Sequence, residues 1–327
     1  MRLAARSLNR RDTLAAKGYY ADEARYNGSD ASRARYLLTR LEFGSGNSED
    51  GRTGLVALAR DDSIGYYGTI AREQARIPAP VFAPAPERVP TRAVRRALED
   101  LDDLDAAGMV REAELLVAHL VSRGRSGAHE TLDLAEGLIA RDRVPEAIRL
   151  GWQAARTLTL NHPRVIRVIF PWPERELIEA EAEAFDLDPY LLAGLIRQES
   201  SFKSSIRSRA GAVGFMQLMP ATAREVANRL HVPWGDLMRS VPDANVHIGS
   251  AHLAGLLRGY DGAVIPALAA YNAGGTPVRR WLRYPEADDP VLFVERIPYA
   301  ETRGYVKTVL RNRALYRALY PRHEPTP

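Results

Sequence analysis

Glu199 closes an apolar run from Tyr190 to Ile196 and is followed by Ser200-Ser201-Phe202. A Gly-rich bend then carries Ala210-Gly211-Ala212-Val213-Gly214-Phe215-Met216-Gln217-Leu218-Met219-Pro220. A carboxyl, a carboxamide and a thioether in that order suit a protonated acid working against a neutral, amide-bearing substrate. Glu199 lies seven residues after Leu192 and four after Leu195, so it shares their helix face. Desolvation on that face and the negative end of the helix dipole would both raise its pKa, as a general acid needs near neutral pH. Spacing alone leaves the commoner outcome open, a last-turn Glu that reaches out to solvent.

The elements that must position this acid are helices. Asp188 suits an N-cap and Pro189 a first helical position, which predicts a helix running to about Ser200. Before it, Glu174 to Phe185 reads as an acidic helix with Leu177, Ile178, Ala182 and Phe185 inward. Asn161 to Pro173 reads as a hinge with an apolar patch from Val165 to Phe170. Further upstream, Val110, Ala113, Val117, Leu120 and Val121 keep the spacing of one buried face, and Leu132, Leu138 and Ile139 do the same. Pro145 opens a third helix with Ile148, Trp152 and Ala155 inward. Residues 1–77 read as short helices, with Leu37, Leu38 and Leu41 on one face and a tightly packed Ile64-Gly65-Tyr66-Tyr67-Gly68. Ile77 to Pro90 is rich in Pro and Ala and should run extended. The pattern predicts an all-α chain: a solenoid part at 1–77, a connector at 78–90, a further solenoid or linker part at 91–170, and a separate domain at 171–327.

Composition narrows the chemistry. The chain has 327 residues, 46% of them apolar, enough for a substantial core, and no run long enough to cross a membrane. A formal charge of +4 suits an anionic polymer, but Arg is scattered among Asp and Glu rather than clustered, which argues against nucleic acid. The absence of cysteine excludes disulfides, a Cys nucleophile and thiolate zinc sites. No metal or cofactor is expected: His247 and His252 are five residues apart, off the same-face spacing of a ligand pair. The basic start, Met1 to Arg6, runs into Asn9, Arg10, Arg11 and Asp12 where an export signal needs an apolar core. Helices also begin without a cap, so the expectation is a missing upstream segment.

From Trp172 to Tyr320 the chain resembles the soluble lytic transglycosylases, peptidoglycan-cleaving enzymes with a goose-lysozyme-like fold. Four blocks carry the resemblance, in the family's order: Glu199-Ser200; Gly214-Phe215-Met216-Gln217, with Phe where the family has Leu; Ala270-Tyr271-Asn272-Ala273-Gly274; and Ile297 to Val306. The helices ahead of this region are similar to the family's superhelical part.

The resemblance implies one catalytic carboxyl, Glu199. It would protonate the β-1,4 glycosidic oxygen, with the substrate's N-acetyl group standing in for a second carboxylate. Glu199 would then take the proton of the muramoyl C6 hydroxyl, giving a 1,6-anhydro end. Ser208 would lie near the N-acetyl group. Gly214 would let sugar approach the backbone, and Gln217 would offer a donor and an acceptor. Met216 and Met219 would line the site or fill core, with core favoured for Met216. Tyr271 would bond the catalytic carboxyl or the substrate, Asn272 would order its loop, and Glu301 would hold muramoyl groups. Glu295, paired with Arg303, is the alternative structural acid. The implied partner is the peptidoglycan glycan strand, and the implied location the periplasm or cell envelope. A muramidase of the same fold is the alternative if an acid positions water opposite Glu199. A non-catalytic helical scaffold is the other, and the joint presence of Glu199, Gln217 and Tyr271 argues against it.

Overall fold

The structure, a computed structural model, describes residues 12–26, 29–123, 127–232 and 242–322. The basic stretch from Met1 to Arg11 lies outside the described residues. All regular elements among them are helices, joined by loops with two isolated β-bridges, Arg207 with Val213 and Val213 with Leu218. The chain is all-α. Its backbone contacts divide it into two compact units, Met1–Val81 and Phe82–Pro327.

The first unit holds α1 (Thr13–Glu23), α2 (Ser29–Gly44), α3 (Ser48–Asp61) and α4 (Tyr66–Gln74), each packed on the next. Asp12 caps α1, its carboxylate accepting from the Ala15 amide at 2.9 Å. Tyr20 and Ala34 centre the α1–α2 contact, with Leu37, Leu38 and Leu41 against them. The Tyr66-Tyr67-Gly68 stretch packs as closely as its small residue implies. Tyr67 meets Tyr66 edge-on at 5.1 Å and Tyr36 at 5.8 Å, while a Cβ on Gly68 would overlap the Asp62 carbonyl.

In the second unit, residues 82–91 carry no helix. Then follow α5 (Arg92–Ala106), α6 (Val110–Arg123), α7 (Ala128–Ile139), α8 (Val144–Ala154) and α9 (Pro163–Ile169). Three sequence expectations change here. Trp152 is 41% exposed, because α8 buries Ala147, Ile148, Gly151 and Ala154 instead. Gly151 sets that phase: its missing side chain admits Val168 and Ile169 of α9, which a Cβ would meet at 2.8 and 2.9 Å. Val110 is 62% exposed because it begins α6 ahead of the face formed by Ala113 and Val117. Asn161–Pro173 is not an irregular connection. Its apolar patch forms α9, with Val165, Ile166, Val168, Ile169 and Phe170 buried.

An ionic network sits in this layer. The Arg164 side chain is 2% exposed and that of Asp133 fully buried, and they pair at 2.6 Å. Arg164 also pairs with Glu136 at 2.7 Å, and Arg88 approaches Asp133 at 3.1 Å. A buried pair of this kind is costly to desolvate and costlier to break.

The remaining helices are α10 (Arg175–Ala184), α11 (Pro189–Glu199), α12 (Pro220–Leu230), α13 (Pro242–Gly259), α14 (Val264–Ala273), α15 (Gly275–Trp281), α16 (Pro290–Arg296) and α17 (Ala300–Leu319), with a 3-10 turn at Pro285–Asp288. The axis of this region is α11, buried from Pro189 to Ile196 and packed along α17. Asp188 caps it by accepting from the Tyr190 amide at 2.9 Å. The same carboxylate binds Arg313 and Arg317 of α17, each at 2.6 Å. Gly194 brings the backbones together: a Cβ there would lie 2.9 Å from the Arg313 nitrogen, and Asn312 donates to the Gly194 carbonyl at 3.1 Å. Trp172 wedges Tyr190, Tyr316 and Tyr320 around the start of this pair.

Candidate active site

Glu199 is the last residue of α11, and the chain turns away sharply behind it. Ser200 is buried, donating to the Ile196 carbonyl at 3.2 Å and accepting from the Phe202 amide at 3.1 Å. Ser201 and Phe202 both take left-handed backbone angles, with φ of 52° and 62°. Two consecutive non-glycine residues in that region hold the helix end at Glu199, with fully buried Phe202 as the plug.

The carboxyl is half-buried. Burial pushes its pKa up to about 7. A hydrogen bond from Tyr305 works in the opposite direction, and the charge of Glu301 adds to the rise. The Tyr305 hydroxyl donates to Glu199 Oε1 at 2.6 Å. Burial, then the neighbouring Glu199 charge, holds the Tyr305 phenol well above its ordinary range, so it stays a donor. Sequence reading quoted Tyr305 in its last block but gave it no role.

Tyr305→Phe provides a direct check. Removing a donor to the carboxylate leaves burial unopposed, so an NMR titration should place the Glu199 pKa above that of the parent chain. A value at or below the parent's would contradict this account of the site.

For Tyr271 the expected partner was the catalytic carboxyl or the substrate. Its hydroxyl donates to the Met216 carbonyl at 2.8 Å, so it braces the bend rather than donating to Glu199. It is nonetheless near the acid, because the Glu199 charge, after burial, contributes to raising the Tyr271 pKa. The bend is held from beneath by Asn245, which sequence reading missed. This buried side chain on α13 accepts from the Met216 amide at 2.8 Å and donates to the Val213 carbonyl at 3.1 Å. Gly214, at φ 78°, lies directly over it, and any Cβ would overlap the Asn245 amide. The available signal was its place three and four residues before Ile248 and Gly249, on their buried helix face.

Gln217 also has a left-handed backbone, φ 46°. Its side-chain nitrogen donates to the Gly214 carbonyl at 2.8 Å and the Ile206 carbonyl at 3.3 Å, which leaves its carbonyl oxygen as the group for a ligand. The Ser208 hydroxyl accepts from the Ala212 amide at 3.0 Å and so shapes the same loop. Asn272 accepts from the Thr302 hydroxyl at 2.6 Å, tying α14 to the first turn of α17, where Glu301 is exposed.

The family described as Transglycosylase SLT domain matches residues 176–293, and the Soluble lytic transglycosylase helical domain matches residues 296–324. The soluble lytic murein transglycosylase of Salmonella typhimurium is 37% identical over 153 residues, 45% of this chain and 23% of that protein. A transglycosylase of Enterobacteria phage PRD1 is 40% identical over 106 residues, 32% of this chain and 36% of that protein. The structure of an inactive mutant of the lytic transglycosylase Slt from Pseudomonas aeruginosa superposes over 94% of this chain and 50% of that one, at 27% identity and TM-score 0.75. The 70-kDa soluble lytic transglycosylase in complex with bulgecin A superposes over 98% and 51%, at 25% identity and TM-score 0.79. Residues 176–324 thus carry matches to both soluble lytic transglycosylase domains, and the chain shares the fold of these solved lytic transglycosylases. It spans about a quarter of the Salmonella relative's length and about half of each of these solved chains.

Within this transglycosylase fold the other expected residues separate by burial. Met216 is fully buried, its sulfur against Gly249, and fills core. Met219 is 44% exposed at the start of α12. Glu295 does not pair with Arg303. It binds Lys307 at 2.6 Å, while Arg303 donates to the Ile297 carbonyl at 2.6 Å. His247 meets Glu181 at 2.9 Å and His252 packs its ring 5.3 Å from that of Tyr271. Among the described residues no group of three His, Asp or Glu side chains could hold a metal ion. No helix among them is long and apolar enough to cross a membrane.

Proposed function

We propose that the chain is a lytic transglycosylase acting on peptidoglycan, with Glu199 as acid and then base. The carrying observation is one half-buried carboxyl, its pKa raised to about 7, bonded to a phenol that remains protonated. At neutral pH a large fraction of such a carboxyl holds its proton, as a general acid requires. It would protonate the oxygen of the β-1,4 bond between N-acetylmuramic acid and N-acetylglucosamine. The substrate's acetamido group would stabilise the developing cation, as in the substrate-assisted exceptions to two-carboxylate glycoside cleavage.

The ionised Glu199, stabilised by the Tyr305 hydroxyl, would then accept the proton of the muramoyl C6 hydroxyl. That oxygen closes on C1 and yields a 1,6-anhydro end without consuming water. The Gln217 carbonyl oxygen, the Ser208 hydroxyl and the backbone at Gly214 would border the sugar, and Asn272 would act through Thr302 by fixing the loop. Exposed Met219 and Glu301 would meet the glycan at the rim. Such a substrate implies action in the periplasm or cell envelope.

Glu301 also supports a second reading, a muramidase, since it is the carboxylate that acts on the Glu199 proton. Mass spectrometry of glycan fragments separates the two. Ends lighter by one water, as 1,6-anhydro rings, are expected; reducing ends would replace lyase with hydrolase.

A further inference from the structure

One conspicuous side chain, at the start of the helix that carries Tyr305, has no part in the mechanism above. Tyr299 is 51% exposed, yet its backbone is firmly held as the N-cap of α17. Its carbonyl accepts from the Arg303 amide at 2.9 Å, and fully buried Ile297, whose carbonyl binds the Arg303 side chain, anchors the approach. The ring meets Trp281 edge-on, with centroids 5.1 Å apart and planes at 81°. Trp281 is 4% exposed and closes α15, so the support does not move freely. An exposed aromatic ring of this kind normally loses side-chain freedom only when a ligand covers it; here the neighbouring ring has already restricted it.

The placement is informative. Tyr299 lies two residues before Glu301, whose charge reaches Glu199, and six before Tyr305, which bonds it. Six residues of helix rise about 9 Å, the scale of one or two pyranose rings. The C–H face of an N-acetyl sugar is apolar and flat, and an aromatic ring with an apolar face and a polar rim is its natural complement. We infer that Tyr299 is a glycan-binding residue, a stacking platform for a sugar ring one or two units from the bond that Glu199 attacks. This rests on the transglycosylase reading for its substrate class. Trp281 is a positioning residue that holds the platform.

The test uses the full chain and soluble, uncrosslinked peptidoglycan strands. Tyr299→Ala should raise KM about three- to tenfold with kcat within twofold of the parent, and Tyr299→Trp should restore KM. An unchanged KM, or a fall confined to kcat, overturns the inference. Because a failed fold would mimic a loss, a second measurement uses the Glu199→Gln chain, in which strands bind without turnover. The Tyr299 ring resonances should shift upfield on titration with strands; unshifted resonances on saturation also overturn it. Should the parent chain release no anhydro ends while the ring still shifts, the proposed reaction falls and the platform stands. Should ends be released with the ring unmoved, the reverse holds.

Discussion

Glu199→Gln should reduce peptidoglycan cleavage by about 10²- to 10⁴-fold, the range a positioned acid–base contributes, while leaving strand binding within a few-fold of the parent. Cleavage above a tenth of the parent rate would remove Glu199 from the mechanism. The same substitution should stabilise the protein, in a pH-dependent way. The Glu199 pKa rises from 4.5 to about 7 on folding, so the folded state holds this proton more tightly than the unfolded state. Its contribution is fully present below 4.5 and is lost as pH rises through about 7. Well above that range the loss amounts to up to about 3 kcal/mol. Differential scanning calorimetry should therefore find Glu199→Gln more stable than the parent at pH 8, with the gap closing towards pH 4. An equal or lower melting temperature at pH 8 would contradict it. The parent's cleavage rate should fall as pH rises past about 7, where the acid loses its proton.

Arg164→Leu should cost about 3–5 kcal/mol of stability in denaturant unfolding. The side chain it removes is buried, and its partner Asp133 would be left fully buried with, among the described residues, Arg88 at 3.1 Å and 41% exposed as its remaining cation. The double substitution Arg164→Leu with Asp133→Leu should recover much of that loss, because it removes the stranded charge as well. A single variant within about 1 kcal/mol of the parent would show that the network is not holding α7 against α9.

What the sequence could and could not show follows from the range of each interaction. Asp188, Pro189 and the apolar run to Ile196 act within a few residues of one another, so the helix that carries Glu199 is readable from local pattern. The phase of α8 is not, because Gly151 has no side chain to mark it as the residue facing α9, and Trp152 beside it drew the apolar face to itself. Asn245 and Tyr305 act on groups 29 and 106 residues away, and no local spacing announces such partners. Downstream of Glu295, α17 offers Arg303 and, four residues on, Lys307. The helical turn of α17 turned Lys307, not Arg303, towards it. Tyr271 was expected to bond the catalytic carboxyl or the substrate; the Met216 carbonyl it donates to is a backbone acceptor that side-chain type does not reveal.

The bond between Tyr305 and Glu199 sets the order in which the site comes into being. A chain emerging from the ribosome completes α11 about a hundred residues before it can supply the phenol, the Asn312 amide and the two arginines that grip the Asp188 cap. Through that interval the carboxyl has neither its hydroxyl partner nor the helix that buries its neighbours. Competence arrives late in synthesis, with the docking of α17.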